Sequence, residues 1–117
     1  MRNFKQLLIW QKGFEIAVNS FKLVQAFPKE ERFALSNQIT RAAVSIPSNI
    51  AEGSSRTSEK EYNRFLEISL GSSYELETQL LIAKASDFGD SALCIKMLMD
   101  VEQEQRMMTG FMAKLAK

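Results

Sequence analysis

Gln38, Arg41, Ser45, Asn49 and Glu52 recur every three or four residues within QITRAAVSIPSNIAEG, residues 38–53. On a helix that spacing stacks them in one line. Their shared chemistry is recognition. A guanidinium, a carboxamide and a carboxylate in mutual reach can grip an anion or a nucleic-acid edge, or they can join two protein elements through paired charges. The second reading predicts a polar network that specifies a helix pairing or a subunit interface. In it Arg41 is buried and Glu75, near Ser72 and Gln79 on a later helix, neutralises it, because an unpaired buried guanidinium costs several kcal/mol.

Other chemistries find little to work with. The chain has no histidine, which removes Ser-His-Asp hydrolysis, imidazole acid–base sites and the Glu-x-x-His pairs of di-iron bundles. Cys94 is the sole cysteine, so neither an intrachain disulfide nor a cysteine metal cluster can form, and its place in an apolar line predicts an inert buried thiol. Asp87 with Asp90, or Glu102 with Glu104, offer carboxylates for Mg²⁺. The first pair reads as a turn and the second as part of a solvent-facing surface, with no nucleophile or phosphate loop beside either. The sequence therefore predicts no catalytic residues, no metal and no cofactor.

The polar line needs a helix to carry it. Leu35, Ile39, Ala42, Ile46 and Ile50 supply the apolar face of that helix, about a quarter turn from the polar line at roughly 100° per residue. It is expected to start within residues 29–33 and to end at Gly53 as a C′ glycine. Pro47 removes the N–H that would bond the Ala43 carbonyl and costs about 3 kcal/mol in a regular helix, which predicts a kink around residues 43–47. Before it, Leu7, Trp10, Phe14, Ala17, Phe21 and Val24 form the inward line of a first helix that stops before Phe27-Pro28. Ile9, Ile16 and Leu23 add a second apolar line, so this helix should bury two faces and touch a neighbour outside its own bundle.

Ser58-Glu59-Lys60-Glu61 reads as a capping box opening a third helix over residues 59–85. Gly71 at its centre predicts close approach of another backbone. Asp87-Phe88-Gly89-Asp90 makes a turn, with Asp90 capping a fourth helix whose inward line is Cys94, Met97, Val101, Met108, Phe111 and Leu115, interrupted by Glu104. The fold class is all-α: an antiparallel up-down-up-down four-helix bundle with a Pro-kinked second helix, one domain over residues 1–117.

Composition agrees. The chain is 45% hydrophobic and 25% charged, the balance of a soluble domain. No apolar run approaches the ~18 residues of a membrane span. The N-terminus lacks a signal-peptide cleavage pattern, so a cytoplasmic location is expected. Net charge is only +1, but residues 1–64 carry ten Lys/Arg against six Asp/Glu while residues 65–117 carry five against eight. The basic half offers Lys5, Lys12, Arg56, Lys60 and Arg64 as candidate nucleic-acid contacts.

Trp10-Gln11-Lys12, Phe27-Pro28, Leu35-Ser36, Gln38, Arg41-Ala42-Ala43, the run SIPSNIAEG from Ser45 to Gly53, Arg56, Phe65-Leu66, Gly71-Ser72 and Glu75-Leu76 together resemble the bacterial four-helix-bundle family of 23S ribosomal RNA intervening-sequence proteins. The resemblance reaches to about Asp87. It implies a homopentameric ring, and it extends to the accessory variability protein of diversity-generating retroelements, a basic nucleic-acid-binding pentamer. Here Thr40 precedes Arg41 where relatives often carry a second arginine. The implied function is a non-enzymatic, ring-forming scaffold or adaptor binding RNA or DNA through a repeated basic face. The alternative is a protein-interaction module with no nucleic-acid role.

Overall fold

In the computed structural model, which describes residues 2–116, four helices carry the chain: α1 (Leu8–Val24), α2 (Asn37–Ser54), α3 (Glu59–Ala85) and α4 (Ser91–Leu115). The described residues contain no strand. The 27 residues of α3 span about 40 Å at 1.5 Å per residue, close to the 44 Å long axis of the molecule. The helices therefore lie along that axis and reverse direction at each short connection, as expected of an up-down-up-down bundle.

Local chemistry sets most helix ends. Ser58 Oγ accepts the Glu61 N–H at 3.0 Å and so starts α3, while Asp90 Oδ1 accepts the N–H groups of Ala92 (2.9 Å) and Leu93 (3.3 Å) to start α4. Between α3 and α4 the chain turns through two left-handed residues, Asp87 (φ 61°) and Gly89 (φ 79°). The start of α2 is later than the sequence predicts. After Pro28 the backbone passes through a 3₁₀ turn at Lys29–Glu31 and a π-helical turn at Arg32–Ser36 before regular α-geometry begins at Asn37. Pro47 lies inside α2, which continues unbroken across it.

Two glycine expectations need correction. Gly53 is not a terminating C′ residue: it is helical and buried, and α2 closes one residue later at Ser54. Its role is contact. A Cβ at Gly53 would stand 2.7 Å from Phe65 Cβ and 3.1 Å from Tyr62 Cδ1, so α3 crosses α2 closely only because that atom is missing. Gly71, by contrast, is exposed and a Cβ there would meet nothing within 4 Å. The close approach in mid-α3 is made by Ser69, whose hydroxyl donates to the Ile46 carbonyl at 2.8 Å and is fully buried.

The two apolar lines of α1 exchange roles. Ile9, Ile16 and Leu23 enter the core with Ile39, Ile46 and Ile50 of α2, Leu66, Leu76 and Leu80 of α3, and Met97, Val101 and Met108 of α4. The line headed by Trp10 runs along the edge instead: Trp10 is half-buried against Phe4 and Phe14, and Phe14 and Phe21 remain about half exposed. Cys94 is buried and donates to the Leu80 carbonyl at 3.4 Å, and burial raises its thiol pKa, as an inert core cysteine requires.

Candidate functional site

On α1, residues 14, 18 and 21 lie three and four apart, so Phe14 (52% exposed), Val18 and Phe21 (51%) form one outward apolar stripe. Val44 of α2 extends it, sharing a shallow recess with Phe21. Beyond Phe21 the stripe opens into a larger recess of about 800 Å³ between the end of α1 and the start of α2, walled by Val24, Phe27, Pro28 and Phe33. Phe33 is 84% exposed, with the Arg32 guanidinium 5.7 Å from its ring centroid.

The polar line of α2 borders this stripe. Arg41, Ser45 and Asn49 face the recess around Phe21 and Val44. Gln38, Arg41 and Ser45, with Ser72 and Glu75 of α3, line a polar recess of about 420 Å³ on the other side. Ser45 Oγ lies 2.8 Å from Ser72 Oγ, and the Asn49 carboxamide donates to both the carbonyl and the hydroxyl of Ser45 at 2.8 Å. Arg41 is exposed rather than buried, and no ion pair joins it to Glu75 among the described residues. Solvent reaches the guanidinium there, so no obligatory counter-charge is needed. Glu75 instead accepts from Gln79 at 3.2 Å, and Glu52 pairs with Arg56 at 3.0 Å.

Four of the five sequence-predicted nucleic-acid contacts belong to one end of the bundle. Arg2 Nη1 donates to the carbonyls of Ser54 and Arg56, Nη2 pairs with Glu59 at 3.0 Å, and the guanidinium lies 4.4 Å from the Tyr62 ring centroid. These bonds fasten the N-terminal segment, with Lys5, to the α2–α3 corner that carries Arg56, Lys60 and Arg64. Arg56 is engaged by Glu52 and by the face of Phe65 (4.8 Å). Lys60 and Arg64 are exposed and form no ion pair among the described residues.

Lys12 is elsewhere. It bridges the α1–α4 seam to Asp100 at 3.0 Å and Glu15 at 3.5 Å, while Lys96 completes the cluster with Asp100 at 2.6 Å and Glu15 at 3.6 Å. Burial pushes the Asp100 carboxyl up, yet hydrogen bonds from Lys96 and Lys12 outweigh it and hold the group below its ordinary 3.8.

Glu104 overturns the expectation of a solvent-facing carboxylate. It is 0% exposed, and neither carboxyl oxygen has a hydrogen-bond partner among the described residues. Desolvation raises its pKa from 4.5 to about 8, with Lys12 drawing it down. The signal was present in its place on the α4 inward line between Val101 and Met108. Gly13, on the line of Ile9 and Ile16, is its counterpart across the seam. No cluster of three or more His, Cys, Asp or Glu side chains among the described residues is arranged to hold a metal ion, and no described helix is long and apolar enough to cross a membrane.

A family model described as 23S rRNA-intervening sequence protein matches residues 5–110. No curated protein matches the chain. Among solved structures, the chain is similar to a protein of unknown function from the S23 ribosomal protein family of Bacteroides thetaiotaomicron. The two are 23% identical with a TM-score of 0.82, over 90% of this chain and 98% of that one. At that identity the likeness carries the fold.

Proposed function

The chain belongs to the family of 23S rRNA-intervening sequence proteins, and on that premise we propose that it is a non-enzymatic, ring-forming scaffold that contacts RNA or DNA through a repeated basic end. The observation that carries the reading is the stripe of Phe14, Val18 and Phe21 on α1, continued by Val44 on α2 and bordered by the polar line of Arg41, Ser45 and Asn49. An apolar centre with a polar rim is the layout of a protein interface. Covering the exposed half of each aromatic side chain is worth about 1 kcal/mol or more per residue, and the surrounding polar groups restrict the partner to one register.

A ring follows when the contact joins unlike surfaces and the rotation closes; the family resemblance makes five subunits the expected number. Repetition then matters for binding. Among the described residues one protomer offers Lys5, Lys60 and Arg64 as exposed cations without ion pairs at its α2–α3 corner, too few for strong phosphate binding, but several copies on one rim bind together.

Light scattering after size exclusion tests assembly: the wild-type particle is a multiple of 13.3 kDa, and Phe14→Ser with Phe21→Ser returns it to the monomer. Mobility-shift titration against structured RNA and single-stranded DNA tests the partner, with a salt-sensitive shift that Lys60→Glu with Arg64→Glu abolishes. A monomeric wild type overturns the scaffold. An assembled protein that shifts neither nucleic acid at low salt overturns the nucleic-acid role and leaves a protein-interaction module.

A further inference from the structure

The Glu104 carboxyl sits where α1, α2 and α4 meet. A Cβ at Gly13 would fall 3.0 Å from Glu104 Oε2, 3.1 Å from Ile46 Cγ2 and 3.4 Å from the Pro47 nitrogen. Glycine is therefore the residue that leaves the carboxyl its place. The groups offered to it in return are poor. From α2 come Ile46 and Pro47, neither of them titratable, and Pro47 has no N–H to donate. Ser69 of α3, one turn along, already gives its hydroxyl to the Ile46 carbonyl and the Met108 sulfur. The charged groups lie outside, along the seam: Lys12 and Glu15 on α1, Lys96 and Asp100 on α4.

A carboxylate without a hydrogen bond or a paired cation is very costly in such a site, whereas a protonated carboxyl loses only its neutral hydrogen bonds. Lys12 is the cation whose charge acts on it, but its ammonium is committed to Asp100 and Glu15. A shallow groove of about 340 Å³ runs along the α1–α4 seam, walled by Lys12, Glu15, Met107 and Gln103, the chain neighbour of Glu104. It offers the charged form a way out.

We propose that Glu104 is a proton-operated latch on the α1–α4 seam: protonated, it packs between Gly13 and Pro47 with the seam closed, and ionised, it turns into the groove toward Lys12 and loosens α1 from α4. The elements are a buried acid, a close contact between its carboxyl and the Gly13 backbone, and a rim cation that must abandon Asp100 to meet the new charge. The raised pKa of about 8 puts the event in the neutral to mildly alkaline range.

Trp10 is the only tryptophan and stands on α1, packed against Phe4 and Phe14, so its fluorescence reports how α1 is seated in the bundle. In the wild-type chain, titration from pH 6 to 9 gives a reversible one-proton transition centred near pH 8. Amide protection in α1 and α4, taken relative to the intrinsic base-catalysed exchange rate at each pH, falls over the same range. Between pH 6 and 9 the unfolding equilibrium constant rises roughly 50- to 100-fold, from linkage between 4.5 unfolded and about 8 folded. Glu104→Gln abolishes the transition and flattens the pH dependence. Lys12→Met, at the rim, keeps the transition but moves its midpoint up, because the cation that favours the carboxylate is gone.

Three results overturn the latch: a flat wild-type profile in both fluorescence and amide protection, an unmoved midpoint in Lys12→Met, or a transition that persists in Glu104→Gln. The last would assign the proton to another group, such as the α-amino terminus near pH ~7.7. Because the wild-type and Lys12→Met profiles stand alone, the latch stays testable even if Glu104→Gln does not fold.

Discussion

Gly53→Ala and Gly71→Ala make the same chemical change inside helices and should move stability in opposite directions. At Gly53 the new methyl would stand 2.7 Å from Phe65 Cβ and 3.3 Å from the Tyr62 carbonyl oxygen, where carbon–carbon contacts settle at about 3.5–4.0 Å. Phe65 Cβ is tied to the α3 backbone, so no rotamer change relieves it and α3 must retreat from α2 by about 1 Å. Overpacking with no rotamer escape falls in the upper part of the usual range, about 2–3 kcal/mol, while alanine returns about 1 kcal/mol of helix propensity. The net expectation is a loss of about 1–2 kcal/mol.

At Gly71 nothing lies within 4 Å of the added atom, leaving only the propensity gain of about 0.5–1 kcal/mol. Thermal denaturation followed by circular dichroism separates them. With about 4 °C per kcal/mol in a domain of this size, Gly53→Ala lowers Tm by about 4–8 °C and Gly71→Ala raises it by about 2–4 °C. A neutral or stabilising Gly53→Ala would refute the close α2–α3 crossing. A destabilising Gly71→Ala would move that crossing to the centre of α3, where the sequence pattern puts it.

Other perturbations follow from named contacts. Asp90→Ala removes the acceptor for two α4 N–H groups and should cost about 1 kcal/mol in urea denaturation, with Asp90→Ser restoring most of it. Arg2→Ala frees the last carbonyls of the α2 end and should cost about 1–2 kcal/mol, because charge-assisted bonds there reinforce the helix dipole; faster exchange at the α2–α3 corner checks it. The Asp100 carboxyl is held below 3.8, so its stabilisation is complete above that value and disappears as pH falls through the depressed pKa. Asp100→Asn should therefore be less stable than wild type at pH 7 and converge with it in strong acid.

Much of the architecture is legible residue by residue. Ser58 and Asp90 announce the starts of α3 and α4 because a cap acts over three residues and needs nothing remote. Periods of three and four identify the helices for the same reason. The start of α2 is less legible: Pro28 marks the break, but the 3₁₀ and π turns of residues 29–36 depend on how α2 seats against α1. Of the site, the polar line is readable as a line, while its exposure is not. Periodicity assigns Arg41 an angle on α2, and only packing decides whether another helix covers that angle.

Amino-acid order alone determined the four helices, most of their ends, the family and the absence of an imidazole to work with, since each depends on local spacing or on composition. Tertiary structure alone decided which apolar line of α1 is the core. Both lines satisfy a helical period, and the choice falls to Ile9, Ile16 and Leu23 because Gly13 and Ser20 between them let the neighbouring helices come close. That choice leaves Phe14 and Phe21 outside, about half exposed. It also brings Gly13 over Glu104, closing into the bundle a carboxyl that already stands on the α4 inward line.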